Sequence, residues 1–233
     1  MKNFLKTFTS KPRVAGQKSD VLAQEAIISE LKKLKKDFYL QKFPFTSWEN
    51  LSCEVFFDEQ KVPSVPVMWS GSGKAQGKID KVGIEKTFEG AYEFEKFSVE
   101  NTGNEKVFLL SREDRIWMQP LDYPDANQAF VMIFPNKLKK IKEGQVKKAS
   151  VFLENKFWDS QSANIICPAK KEAKFLLAAH YDSVPASPGA DDNAAGVVTL
   201  LEVMKKFPDD NFEYVFFWSR RVESFRVEIL GTE

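Results

Sequence analysis

Apolar positions along the chain follow two different periods, and the switch between them marks the elements. Phe175 to Ala179 is an unbroken apolar run between Lys174 and His180, the signature of a buried strand. A loop rich in Pro, Ser, Gly and Asp follows. Val197, Leu200, Leu201, Met204 and Phe207 then recur at helical spacing, and an Asp191-Asp192-Asn193 cluster precedes them where a cap and negative charge belong. Nearer the start, Ile27, Leu31, Leu34 and Phe38 predict a helix from Ser19, as cap, to about Lys36. Strands are predicted over Phe38–Phe45, interrupted at Pro44, and over Leu51–Phe57, Ala149–Leu153, Ser162–Cys167 and Phe212–Phe217. From Val62 the character changes to a Pro and Gly cluster, then short strand candidates at Lys78–Ile84, Val107–Ser111 and Phe130–Phe134. The five-lysine stretch Leu138–Lys148 reads as an exposed linker. The chain shows no internal repeat and no low-complexity segment.

Length allows one α/β domain, or one domain carrying an insertion, in 233 residues. With 34 basic and 33 acidic residues, charge gives no case for nucleic acid or an anionic membrane as partner. The run Lys32, Lys33, Lys35, Lys36 reads as a solvated face at a helix C-terminus, since no aromatic-basic motif accompanies it. Two cysteines are too few for a disulfide framework, and Cys167 reads as a small buried residue. Lys2, Lys6, Lys11 and Arg13 break any apolar leader, and no apolar run approaches membrane-spanning length. The expected location is therefore cytoplasmic. Phe43, Phe45, Trp48, Phe56 and Phe57 are expected in the core rather than in a substrate groove.

Chemistry concentrates at His180, just past a strand tip, and at Asp192, at a helix start. That is the carboxyl edge where ligands bind in open α/β sheets. Alone, such a histidine is more often a surface or satisfied core residue, and such an aspartate a cap. Together, His180-Tyr181-Asp182-Ser183 and Pro188-Gly189-Ala190-Asp191-Asp192-Asn193-Ala194-Ala195-Gly196 resemble the M28 metallopeptidases, the co-catalytic zinc aminopeptidases, in order and spacing. The resemblance implies that His180 binds one zinc, that Asp192 bridges two, and that Asp182 orients the imidazole. A ligating histidine does need such a partner on its other nitrogen. Pro12-Arg13-Val14-Ala15-Gly16 resembles the Arg-x-x-Gly segment before the first helix of that family; the bland reading is a flexible end. The implied fold is α/β: an incomplete phosphorylase/hydrolase-like zinc exopeptidase sheet with flanking helices and an inserted β-rich, protease-associated-like domain. The expected division is 1–61, N-terminal part of the peptidase domain; 62–146, insertion; and 147–233, metal-binding part. The implied activity is hydrolysis of N-terminal peptide bonds, with a peptide substrate as partner. A glutaminyl-cyclase-type transferase is a further reading within the same fold.

The pattern then breaks. In the family the strand matching Phe212–Phe217 ends in Glu-Glu, the general base and a zinc ligand. Here the chain reads Trp218-Ser219-Arg220-Arg221-Val222-Glu223, and His180 is the single histidine. The expectation is a chain inactive as written, truncated or frameshifted, with an aberrant tail from about residue 218. Back-translating Phe216–Glu233 with one base removed yields FFGQEES, like the family's continuation. The alternative is a non-catalytic binding or scaffold relative of the fold.

Overall fold

The computed structural model describes residues 1–87, 90, 92–100, 106–112, 120–207 and 211–218. The elements run α1 (Lys2–Phe8), α2 (Lys18–Lys33), β1 (Tyr39–Phe57), β2 (Gln60–Val62), β3 (Ser64–Pro66) and β4 (Met68–Ser70). Next come β5 (Gly73–Thr87), β6 (Tyr92–Val99), β7 (Lys106–Ser111), β8 (Pro120–Asp125), β9 (Gln128–Ile133) and α3 (Pro135–Lys142). The chain continues with β10 (Lys148–Cys167), β11 (Phe175–His180), α4 (Ala195–Lys206) and β12 (Phe212–Phe217). Two compact units result: one holds Met1–Ser47 and the chain from Trp158, the other Trp48–Phe157.

The first unit is α/β. β11 and β12 pair in parallel, with His180 opposite Phe217, and α4 connects them. β12 pairs antiparallel with the end of β10, Cys167 opposite Tyr214. α2 buries Ala23, Ile27 and Leu31, and α4 buries Val197, Leu200, Leu201 and Met204. Both stripes meet Ile165, Ala179, Tyr214 and Phe216 from the strands in one core.

Several sequence expectations need correction here. α2 stops at Lys33 rather than Lys36, because Lys35 takes a left-handed φ of 55° and Lys36 N bonds back to Leu31 O. Ser19 lies inside that helix, and its Oγ accepts from Val14 N at 3.1 Å instead of capping. The strand expected over Phe38–Phe45, interrupted at Pro44, and the one expected over Leu51–Phe57 are a single strand, β1, that runs through Pro44; proline's φ suits extended chain, and Phe43 and Phe45 on either side pack on Trp218. The strands expected at Ala149–Leu153 and Ser162–Cys167 are likewise one, β10, continuous through Glu154–Gln161, where Phe157 and Trp158 stand side by side among polar residues and give no alternating pattern. β11 is not a buried strand throughout. Ala179 is buried, but Phe175 is 58% and Leu176 48% exposed, since β11 ends the strand order with one neighbour among the described residues.

The second unit is built on β-strands. β5, β6 and β7 form an antiparallel run, β9 joins β7 in parallel, and β3 pairs antiparallel with β9. The start of β10 pairs with β5, Val151 opposite Ala75. Leu109, Val131, Ile133 and Val151 are fully buried in its larger core. The sequence expectation for an insertion, 62–146, falls inside this unit. Part of the expected linker 138–148 is the end of helix α3, which opens on Pro135 at its first position and is followed by Gly144 at φ 69°. No helix among the described residues is long and apolar enough to cross a membrane.

Candidate metal centre

Strand β11 delivers the histidine. Tyr181, immediately after it, is fully buried; its N–H donates to Phe217 O at 2.9 Å and its hydroxyl to Ala163 O at 2.8 Å. Ser162 Oγ lies 3.0 Å from that hydroxyl. Burial pushes the Tyr181 phenol far up, so it stays a neutral anchor. With Tyr181 pinned inward, alternation turns His180 and Asp182 to the opposite side. His180 Nδ1 lies 3.2 Å from Asp182 Oδ1.

The loop to α4 is tightly bonded to itself. Ser183 Oγ donates to Ser187 O at 3.0 Å, Ser187 N to Val184 O at 3.1 Å, and Gly189 N to Ser187 Oγ at 3.1 Å. Gly189 has φ 57°, and a Cβ there would lie 2.5 Å from Asp192 O and 2.6 Å from Ser183 Cβ. Only glycine suits that position. A wide turn over Ala190–Ala194 follows, closed by Ala194 N to Gly189 O at 3.1 Å. Within it Asp192 leaves helical geometry (φ −112°, ψ 92°), and the Asp192–Asn193 peptide is cis. Asp192 is thus not the helix cap that sequence suggests. α4 begins at Ala195, and the capping contact comes from Asn193 Oδ1, which accepts from Gly196 N at 3.2 Å. The turn brings Asp192 Oδ1 to 3.0 Å from His180 Nε2.

His180 therefore stands between two carboxylates. Burial disfavours its cation, but the hydrogen bond and charge of Asp182, joined by Asp192, outweigh this and raise its pKa. Asp182 is buried, whereas the Asp192 side chain is 89% exposed, so the pair opens outward through Asp192. Asp191 is exposed and makes no contact that would give it a role.

Sequence reading left Arg13 between a family-like segment and a flexible end; the structure buries it at 3% exposure. Its Nε donates to Tyr181 O at 2.6 Å, Nη2 to Gly189 O at 2.9 Å, and Nη1 to Phe8 O at 3.3 Å and to Pro188 O. Its backbone N–H donates to Ser183 Oγ at 2.9 Å, and its carbonyl accepts from Ser183 N at 3.0 Å. Burial lowers the guanidinium pKa, opposed by the charges of Asp182 and Asp192. One signal of these contacts is legible in the sequence, the Arg-x-x-Gly segment itself; the partners are about 170 positions away.

The donor chemistry fits a metal in part. Two atoms 3.0 Å apart, an imidazole nitrogen and a carboxylate oxygen, suit neighbouring positions on one ion at roughly 2 Å from each. Among the described residues no third His, Cys, Asp or Glu joins them. Trp218, where the family pattern turns toward Glu-Glu, is buried with its ring 4.2 Å from that of Phe45 and stacked on Phe43. Arg220, Arg221 and the tail expectation beyond Trp218 lie outside the described residues.

Residues 164–221, which span β11, the loop, α4 and β12, match the model of peptidase family M28. Over that stretch the chain is similar to the M28 peptidases. Aminopeptidase YwaD of Bacillus subtilis is 25% identical over 231 residues, covering 85% of this chain and 49% of that protein. A zinc aminopeptidase structure from Bacillus subtilis superposes with a TM-score of 0.63 at 20% identity, over 93% of this chain and 60% of its own. A peptidase M28 precursor from Shewanella amazonensis gives 0.67 at 17%, over 92% and 62%. These superpositions establish the mixed α/β fold of M28 aminopeptidases. The chain spans about half the length of YwaD.

Proposed function

We propose that this chain provides part of a metal-dependent exopeptidase centre of the aminopeptidase type, acting on peptide N-termini. The observation that carries the reading is His180 Nε2 facing Asp192 Oδ1 at 3.0 Å while Nδ1 faces Asp182. In this reading His180 and Asp192 would hold zinc. Asp182 engages Nδ1, which would leave Nε2 as the nitrogen that turns to a metal. Zinc held there would supply Lewis acidity toward water and a peptide carbonyl. Zinc is the metal named for the Bacillus subtilis structure.

Two donors fall short of the three protein ligands usual in catalytic zinc sites, and the family's Glu-Glu base and ligand are replaced in this sequence by Arg220 and Arg221. We therefore infer that the chain alone hydrolyses peptides poorly or not at all. A frameshift or truncation near residue 218 is the reading that accounts for both arginines. The same two-donor count favours a second reading, a binding or scaffold relative that keeps the fold without the chemistry. The unit Trp48–Phe157 is proposed as a protease-associated-like insertion, supported by its β composition and its place between the first strand and the metal strand.

Cobalt(II) titration followed by visible absorption tests the centre. Binding that disappears in both His180→Ala and Asp192→Ala supports it, and a wild-type chain that binds no cobalt overturns it. Assays on aminoacyl p-nitroanilides with and without chelator test the activity. Chelator-sensitive turnover at ordinary peptidase rates would overturn the inference of low activity.

A further inference from the structure

Arg13 has no part in the two-donor reading, yet its side chain is built into the frame around it. Every acceptor of its guanidinium is a backbone carbonyl, not a carboxylate. All but Phe8 O sit at the two ends of one loop. Tyr181 adjoins His180; Pro188 and Gly189 lead into the turn that carries Asp192. A rigid planar fork can span two such points at once, which a lysine's single ammonium cannot. The Arg13 backbone grips the same loop through reciprocal bonds with Ser183. Phe8 closes the other side, its ring centroid 4.5 Å from the guanidinium carbon.

We propose that Arg13 is a positioning residue: it holds the Gly189–Asp192 turn against the tip of β11 and so sets the separation of His180 Nε2 and Asp192 Oδ1. The inference rests on the metal reading only for its purpose. The contacts exist without a metal, and the charge of Arg13 between Asp182 and Asp192 serves the same geometry.

The single histidine of the chain is the reporter. Carbethoxylation by diethyl pyrocarbonate requires an accessible ring nitrogen, and its rate reads how closely Asp192 screens Nε2. Wild type, Arg13→Lys and Ser183→Ala are compared without metal at one pH, each first shown to fold by near-ultraviolet circular dichroism. Lysine keeps the charge and removes the fork. Folded Arg13→Lys is expected to react roughly threefold faster or more, and addition of guanidinium to that variant should slow it again. A merely structural arginine would lower the melting temperature and leave the rate of the folded chain unchanged; that result overturns the proposal. If Arg13→Lys does not fold, Ser183→Ala decides. It removes the acceptor of the Arg13 backbone N–H, and a rate equal to wild type overturns the proposal. Cobalt titration of the same proteins separates the two ideas. A wild type that binds no cobalt defeats the metal reading alone, while the histidine rates still judge Arg13. A wild type that binds, with affinity about tenfold weaker in Arg13→Lys, supports both.

Discussion

The two units hide different kinds of atom. In the α/β unit the buried polar groups include full charges, Arg13, Asp20 and Asp182. In the β unit the buried polar groups described are hydroxyls, Ser70, Thr87 and Ser111, and its ion pairs range from exposed, as Lys61–Glu54, to half-buried, as Lys96–Glu85. Burying a charge is costly unless partners replace water. Each charge in the first unit has such partners: Arg13 its carbonyls, Asp20 the Gly16 N–H and Gln24, Asp182 the imidazole. A fold that carries this cost around one loop keeps that loop in a single geometry. Among its described residues the β unit buries apolar side chains in two clusters and shows no such loop.

That contrast can be broken most sharply at Arg13. Arg13→Ala should cost about 3–5 kcal/mol in urea unfolding, because it strands carbonyls and leaves Asp182 and Asp192 without their nearby cation. The matching test in the β unit is Leu109→Ala, at a fully buried position, which should cost about 3 kcal/mol through cavity formation alone. The loss from Leu109→Ala should leave the histidine modification rate unchanged, whereas that from Arg13→Ala should not. Gly189→Ala should cost about 2 kcal/mol, from its positive φ and the contact with Ser183, and should disturb His180 as Arg13 variants do. Lys61→Ala, at an exposed ion pair, should shift stability by less than about 0.5 kcal/mol.

Thiol titration adds a pH-dependent check in both units at once. Burial pushes Cys53 up to about 11 and Cys167 up to about 12. At pH 8 the native thiols should react with iodoacetamide about a hundredfold more slowly than in urea, since the thiolate is the nucleophile. The folded chain keeps these protons where the unfolded chain, near 9.0, releases them. Raising pH from 9.0 toward 11 should therefore lower stability, read as a falling urea midpoint.

What the sequence made legible was local. The apolar run before His180 and the helical stripe of Val197, Leu200, Leu201 and Met204 placed β11 and α4 almost to the residue. The resemblance to the M28 metallopeptidases implied that His180, Asp182 and Asp192 act together, and their side chains lie within hydrogen-bond reach of one another through His180. What stayed hidden was either non-local or unsignalled. Strand β10 runs through Glu154–Gln161, where Phe157 and Trp158 are adjacent rather than alternating and polar residues surround them, so no strand period shows. The partial burial of β11 depends on which strands flank it, a property of the sheet and not of the strand. The Asp192 turn could not be told from a helix cap, since both use the same residues. The Arg13 contacts join residues from opposite ends of the chain, beyond the reach of any window.

The exposed start of β11 has a practical side. Five apolar residues in succession, Phe175 to Ala179, stand on a strand with one neighbour among the described residues, and none of the five carries a charge that would discourage another strand. Such an edge is a template for association between molecules. The strand that presents the histidine is thus also the one from which the protein would begin to aggregate. A charged residue in place of Leu176, which is half exposed and away from His180, is the first change to make when the protein must be kept at high concentration.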